Sequence, residues 1–251
     1  MQETASSKNK REIREYFIEF VMLFAAVTLG FFAENIREYY GERDMEEKFI
    51  QVVIEDIETD KQTLQSIIKA QEIRIAYEDS LIDLLSKRDF TKMQDLYYYA
   101  RVTSLRNFFQ PSVNGFQQLK NAGGLKMIEK HDVIKQIQHY ENEVQKLMEL
   151  QDLTDGLLNK YRDKMAIIFD GRVFNEMFVD PSALDIYKKF QKPSGNPKLI
   201  ETSEKELNEL LVRAIYINTN ANSTLNRYNL MLKEAEELSQ SLGSIYLLSD
   251  K

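Results

Sequence analysis

The chain has 251 residues, enough for one large domain or two small ones, with 43% hydrophobic and 29% charged residues and a net charge of −7. An acidic chain with no basic stripe is a poor nucleic-acid binder, because neutralising phosphates supplies most of that affinity. The absence of cysteine excludes disulfides, thiolate nucleophiles and Cys-ligated zinc. Nine glycines and four prolines leave room for long unbroken helices and argue against a many-stranded sandwich.

Residues 1–15 read as a short basic tail carrying Lys8, Lys10, Arg11 and Arg14. Phe20 to Ala33 is a run of fourteen residues without a charge, and extending it back to Tyr16 adds only Glu19. As a helix, those eighteen residues span about 27 Å, close to a hydrocarbon core of ~30 Å. Tyr16, Tyr39 and Tyr40 flank the run where interfacial aromatics belong. A cleaved signal peptide would want a small residue where Phe31 stands, three before a cut after Ala33. A core helix of a soluble domain also fits so short a run. The sequence favours a transmembrane helix over 16–34, with the extramembrane domain following over 35–251. Four basic residues precede the run, against Arg37, Arg43 and Lys48 after it, which places the tail inside and the domain outside a bacterial inner membrane, in the periplasm. Glu19 shares a helical stripe with Ala26, Gly30 and Ala33. Ala26 and Gly30 form a small-xxx-small pair, so this stripe is a candidate face for another membrane helix; the plainer reading has Glu19 reaching the headgroups.

Beyond the run, three long helices are expected at about 42–87, 131–169 and 203–245. In the first, Ile50, Ile54, Ile57, Leu64, Ile68, Ile75, Ile82 and Leu85 carry the apolar pattern, with Lys61, Gln71 and Glu78 at the remaining core positions. Thr91 and Gln94 suggest a capping box opening a second helix through Leu105, stopped by Pro111. Ser112 can cap a brief helix ended at Gly123-Gly124. From Ile137 to Ile168, and from Leu207 to Ile245, apolar or small residues recur at alternating steps of three and four. Asp180-Pro181 reads as the start of a short helix to Phe190, and Ser203 with Glu206 as a further capping box. The fold class is therefore all-α: one N-terminal transmembrane helix, then an elongated antiparallel helical bundle with coiled-coil-like seams.

Signs of catalysis are missing from the sequence. His131 and His139 lie eight apart without a second ligand one turn away, and no phosphate loop, nucleophile elbow or dinucleotide fingerprint occurs. No cofactor is expected. Tyr97, Tyr98 and Tyr99, with Phe108, Phe109 and Phe116, form an aromatic cluster that is either core with an amphipathic rim or a partner surface.

Three stretches carry a resemblance. They are Arg14-Glu15-Tyr16-Phe17-Ile18-Glu19-Phe20 leading into the apolar run, the exit Ala33-Glu34-Asn35-Ile36-Arg37-Glu38, and the segment Phe116 to Ile128 with Ile134 and Tyr140. Over roughly the first 160 residues the chain resembles an uncharacterised family of short single-pass membrane proteins of Bacteroidota, a domain of unknown function. That resemblance implies a membrane anchor and carries no activity or site residue with it. The expected function is a non-enzymatic, membrane-anchored interaction or scaffold subunit of an envelope complex, its partners being the lipid bilayer and another envelope protein or a second copy. The alternative is a ligand-sensing helical bundle acting through a partner.

Overall fold

Sparse glycine and proline let α1 run as one helix over Glu3–Lys87, 85 residues or about 128 Å. The computed structural model describes residues 3–112, 114–121, 123–183 and 186–246, with side chains from Glu15 onward except Gln118. Helices α2 (Met93–Thr103), α3 (Asn114–Asn121), α4 (His131–Ile168), α5 (Gly171–Glu176) and α6 (Glu204–Ile245) follow, with 3-10 turns at Gly124–Lys126 and Ile186–Lys189. The only extended pairing among the described residues is one antiparallel bridge between Phe178 and Phe190. The protein is all-helical.

Helix α6 packs along both α1 and α4. It runs against α1: Arg88 Nη2 meets Glu204 at one end at 2.7 Å, and Tyr246 Oη meets Glu46 at the other at 2.5 Å. Helices α1 and α4 run the same way, because the chain from 88 to 130 returns along α1 through α2, an extended stretch and α3. Among the three long helices, antiparallel packing is thus supplied by α6.

Two apolar cores result. The one nearer the long exposed N-terminal part of α1 holds Ile50, Ile57, Leu64, Ile137, Leu147 and Met231; the distal one holds Leu81, Leu85, Leu158, Tyr161, Leu210 and Ile217. Between them lies a buried polar belt: Gln71, Arg74 and Glu78 of α1, Gln151 and Thr154 of α4, Asn220 and Thr224 of α6. Its amides and hydroxyls are bonded, whereas Arg74 and Glu78 are held together by charge with Arg74 Nη2 and Glu78 Oε2 lacking a hydrogen-bond partner. Gln71 donates to Ala221 O at 3.0 Å, Thr154 to Asn220 at 2.8 Å, and Arg74 pairs with Glu78 at 2.8 Å.

The return segment is held by side chains of the long helices. Asp60 accepts Ser112 N–H at 2.7 Å and Tyr140 O–H at 2.9 Å. Asp56 accepts Gly115 N–H at 2.6 Å, and Glu46 accepts Glu129 N–H at 3.2 Å. Gln151 grips Phe109 from both sides, accepting its N–H at 2.6 Å and donating to its carbonyl at 3.0 Å. These carboxylates and amides are buried because non-helical backbone, and the first turn of α3 at Gly115, leave N–H and C=O groups without backbone partners.

Several local expectations are corrected. Helix α2 ends at Thr103, eight residues before Pro111, where Arg162 donates to Ser104 O and the chain turns outward into the extended stretch. The Thr91/Gln94 box does not form: Thr91 is taken by Asp89, and Gln94 reaches Gly195 O at 2.8 Å. Asp180 closes a tight turn onto Ser182 N–H instead of opening a helix. Ser203 occupies the N-cap of α6 without a side-chain bond, while Glu206 is drawn to Lys164 at 2.5 Å. Lys61 is half-buried and pairs with Glu58 at 2.8 Å. Gly123 takes the left-handed conformation after α3, at φ 68°.

Candidate functional site

The most unusual surface is the N-terminal part of α1. Its apolar eighteen-residue window has a mean hydropathy of 2.0, and none of it is buried. Phe17, Phe20, Leu23, Leu29, Phe31 and Phe32 are all 63–69% exposed. That rules out a core helix of this chain, because a core helix is covered. One helix is therefore long and apolar enough to span a membrane. Thr28 hides its hydroxyl by donating to Phe24 O at 2.8 Å, the usual solution where no water is available.

Glu19, Ala26, Gly30 and Ala33 lie within this uncovered stretch, all exposed. A Cβ added at Gly30 would meet nothing within 4 Å. Past Ala33 the helix continues without a break. Arg37 pairs with Glu34 and Lys48 with Asp44, and the first buried side chain is Glu46. Arg43 already reaches the domain, bonding Glu129 at 3.1 Å and the Met127 carbonyl, so residues 34–42, roughly 14 Å of helix, form a bare stalk between the apolar run and the packed domain.

The aromatic cluster does not form one surface. Tyr97 is fully buried, donates to Lys198 O at 2.8 Å, accepts Asp170 N–H at 3.0 Å, and packs its ring 4.9 Å from Phe169. Phe109 is fully buried in the grip of Gln151, and Phe116 is buried with its ring stacked on Tyr140 at 5.8 Å. Tyr97, Phe109 and Phe116 therefore leave the candidate partner surface, because the segments that carry them fill the groove beside α1. Tyr98 and Tyr99 are half-buried around Tyr77, with ring centroids 5.7 and 5.8 Å away. Phe108 alone stays out, 57% exposed, beneath the Arg106 guanidinium at 5.3 Å. It borders an open groove of about 1110 Å³ on the outer side of α1, with Ile67, Ile73, Lys69 and Lys189.

Two buried carboxyls have displaced acidities. Burial pushes Asp60 up to about 6 against the bonds from Ser112 and Tyr140, with the Asp56 charge adding to the rise. Burial likewise pushes Glu78 up to about 7, opposed by Arg74. Tyr140 is held above its ordinary value by burial and by Asp60. Both raised carboxyls bind their proton more tightly folded than unfolded, so stability from them is gained as pH falls from about 7 to about 4. Carboxyls held low by partners, such as Glu143 beside Lys146 and Asp155 beside Arg106, act the other way below about pH 4. Thermal midpoints should therefore be higher at pH 5 than at pH 8, and Asp60→Asn should flatten that difference. A midpoint falling steadily from pH 8 to pH 5 would contradict it.

Asp60 and Glu78 hold structure, while Tyr140 borders an open cleft of about 370 Å³ with His139, Glu234 and Glu237. His139 Nε2 lies 3.9 Å from Glu234, His131 opens α4, and no group of three His, Asp or Glu among the described residues could hold a metal ion. Sequence reading missed Asp56, Asp60, Arg74 and Arg101. Counting strict three-four steps from Ile50 through every residue type would have reached Val53, Asp60, Ile67, Arg74 and Leu81.

No family model, curated protein or solved structure matches the chain. The resemblance to the Bacteroidota family accordingly rests on the quoted residues alone.

Proposed function

We propose that the protein is a non-enzymatic subunit of a bacterial envelope complex, anchored by 16–34 in the inner membrane and presenting an elongated antiparallel helical bundle on the periplasmic side. The observation that carries this reading is the wholly uncovered apolar window at one end of a helix whose other end is locked into a packed domain. Burying that surface in lipid stabilises it by about 25 cal/mol per Å² of apolar area, which water cannot supply. An elongated helical post with coiled-coil-like seams suits a scaffold. The membrane-helix face at Glu19, Ala26, Gly30 and Ala33 and the groove beside Phe108 are its partner surfaces, for another envelope protein or a second copy.

The test is made on the full chain in native membranes. The protein should resist alkaline carbonate and be released by detergent; release by carbonate alone, uncleaved, would remove the anchor. Gly30→Leu should lower recovery of the co-extracted partner or oligomer by roughly five- to 150-fold, the effect of 1–3 kcal/mol of overpacking. Val21→Leu should leave it unchanged. Equal recovery for both variants would reduce the helix to a plain anchor.

A further inference from the structure

Eight arginines with described side chains each lie against a carboxylate: Arg37, Arg43, Arg74, Arg88, Arg106, Arg172, Arg213 and Arg227. Among the described residues Arg101 and Arg162 have no carboxylate in ion-pair range, and they line the same cleft. In a chain of net charge −7, two arginines in one cleft without a paired carboxylate among the described residues are conspicuous. The cleft, of about 320 Å³, lies where the end of α2 meets the turn from α4 into α5. Its walls are Met165, Phe169 and Phe174, its polar edge is Arg101, Ser104 and Arg162, and none of its lining residues is acidic.

The fold engages only part of each guanidinium. Arg162 donates to Ser104 O through Nε at 3.1 Å and Nη2 at 2.6 Å, closing the carbonyl end of α2, and through Nη1 to Asn159 at 2.9 Å. Arg101 donates through Nη1 to Ser104 Oγ at 3.2 Å. Its Nε is buried without any acceptor, and its guanidinium carbon lies 4.7 Å from the Phe190 ring. Burial and the Arg162 charge both lower the Arg101 pKa, so its neighbours disfavour the charge it carries. Asp155, whose acidity the Arg162 charge also lowers, is bonded to Arg106, and Asp170 is bonded to Arg172. Ring faces and a helix C-terminus offset part of this charge and leave donors over.

We propose that this cleft binds a small organic anion, an oxyanion head of carboxylate or phosphate type on a short apolar or aromatic body. The head is held by Arg101 and Arg162; the body lies against Met165, Phe169 and Phe174. The size suits a compact ligand, at the lower end of ordinary small-molecule pockets. Forked guanidinium donors suit planar or tetrahedral oxyanions equally, so the head is left to experiment. This site is independent of the membrane anchor.

The test uses the full chain in non-ionic detergent, titrated with benzoate, phenyl phosphate, inorganic phosphate and benzylamine, and read by calorimetry and by thermal midpoint. Benzoate or phenyl phosphate should bind and raise the midpoint; whichever binds tighter identifies the head. Benzylamine, of like shape and opposite charge, should not bind. Arg101→Gln and Arg162→Gln should each weaken binding about tenfold or more, and Arg213→Gln should not. Because Arg101 packs on Phe190, its variant is compared with Arg162→Lys, which keeps the charge and should bind better than Arg162→Gln. No heat with any anion at about 10 mM, equal binding by the Arg101→Gln/Arg162→Gln double variant, or equal binding of benzylamine would each overturn the site.

Discussion

Glu78→Leu should lower stability by about 3–5 kcal/mol, while Arg74→Leu with Glu78→Leu should be neutral or stabilising by about 1–4 kcal/mol. The pair sits in the polar belt at 2% and 0% exposure with Nε–Oε1 at 2.8 Å, and Arg74 Nη2 finds no hydrogen-bond acceptor. Removing the carboxylate alone leaves a buried guanidinium whose desolvation nothing offsets. Removing both takes the two charges out of the belt and leaves its hydrogen-bonded amides and hydroxyls. The comparison is a thermal or urea midpoint of the full chain in mild detergent, followed by helical circular dichroism. A double variant as weak as Glu78→Leu would mean that the pair stabilises the fold in its own right. If the double variant is stable but loses its partner, the belt serves specificity, as a polar residue in a coiled-coil seam can.

Gly115→Ala should cost about 2–5 kcal/mol although it adds a single methyl. Its Cβ would lie 2.8 Å from Val53 N and 2.9 Å from Val52 O, backbone atoms of α1 that no side-chain rotation can move. Helix α3 must back away, which costs about 1–3 kcal/mol of overpacking. That movement also stretches the 2.6 Å bond from Gly115 N–H to Asp56, a buried charged bond contributing about 1.5–3 kcal/mol. Gly156→Ala supplies the opposite sign, because a Cβ there meets nothing within 4 Å inside α4 and removes about 0.8–1 kcal/mol of poor helix propensity. The two thermal midpoints should move apart. Coincident shifts would show that α3 is not seated on α1 as described.

How far the sequence could be read differs from helix to helix. In α6, Leu207, Leu210, Ala214, Ile217, Ala221, Thr224, Tyr228, Met231, Ala235, Leu238 and Leu242 are all buried, and only Ile245 of that stripe is not. There the apolar pattern and the true seam coincide, because α6 meets helices on both sides. In α1 they diverge. Ile54, Ile68, Ile75 and Ile82 are half-buried flanks, and the seam runs through Val53, Asp60, Ile67, Arg74 and Leu81. Apolar periodicity passes over charged residues, whereas Asp60 is buried by what it holds, Ser112 N–H and Tyr140 O–H, from segments far away in sequence. The aromatic segment misled for the same reason. Phe109 is core because Gln151 of α4 captures its backbone, and nothing near residue 109 announces that capture. Arg101 and Arg162 stood out only once every other described arginine had found its carboxylate.

An unbroken α1 also fixes a phase. At 3.6 residues per turn, Glu19, Ala26, Gly30 and Ala33 lie about 140–200° around the helix from Glu46, which marks the side that meets Glu129 and the end of α6. The small-residue stripe therefore faces away from the rest of the domain. A neighbour that used it would rise behind α1, with the packed helices turned away like the blade of a key from the hand. Lys69 and Ile73 stand at nearly the same angle, about 60 Å higher along the same rod, beside Phe108. Inserting one residue in the stalk between Ala33 and Arg43 would rotate one surface against the other by about 100°, leaving each locally intact.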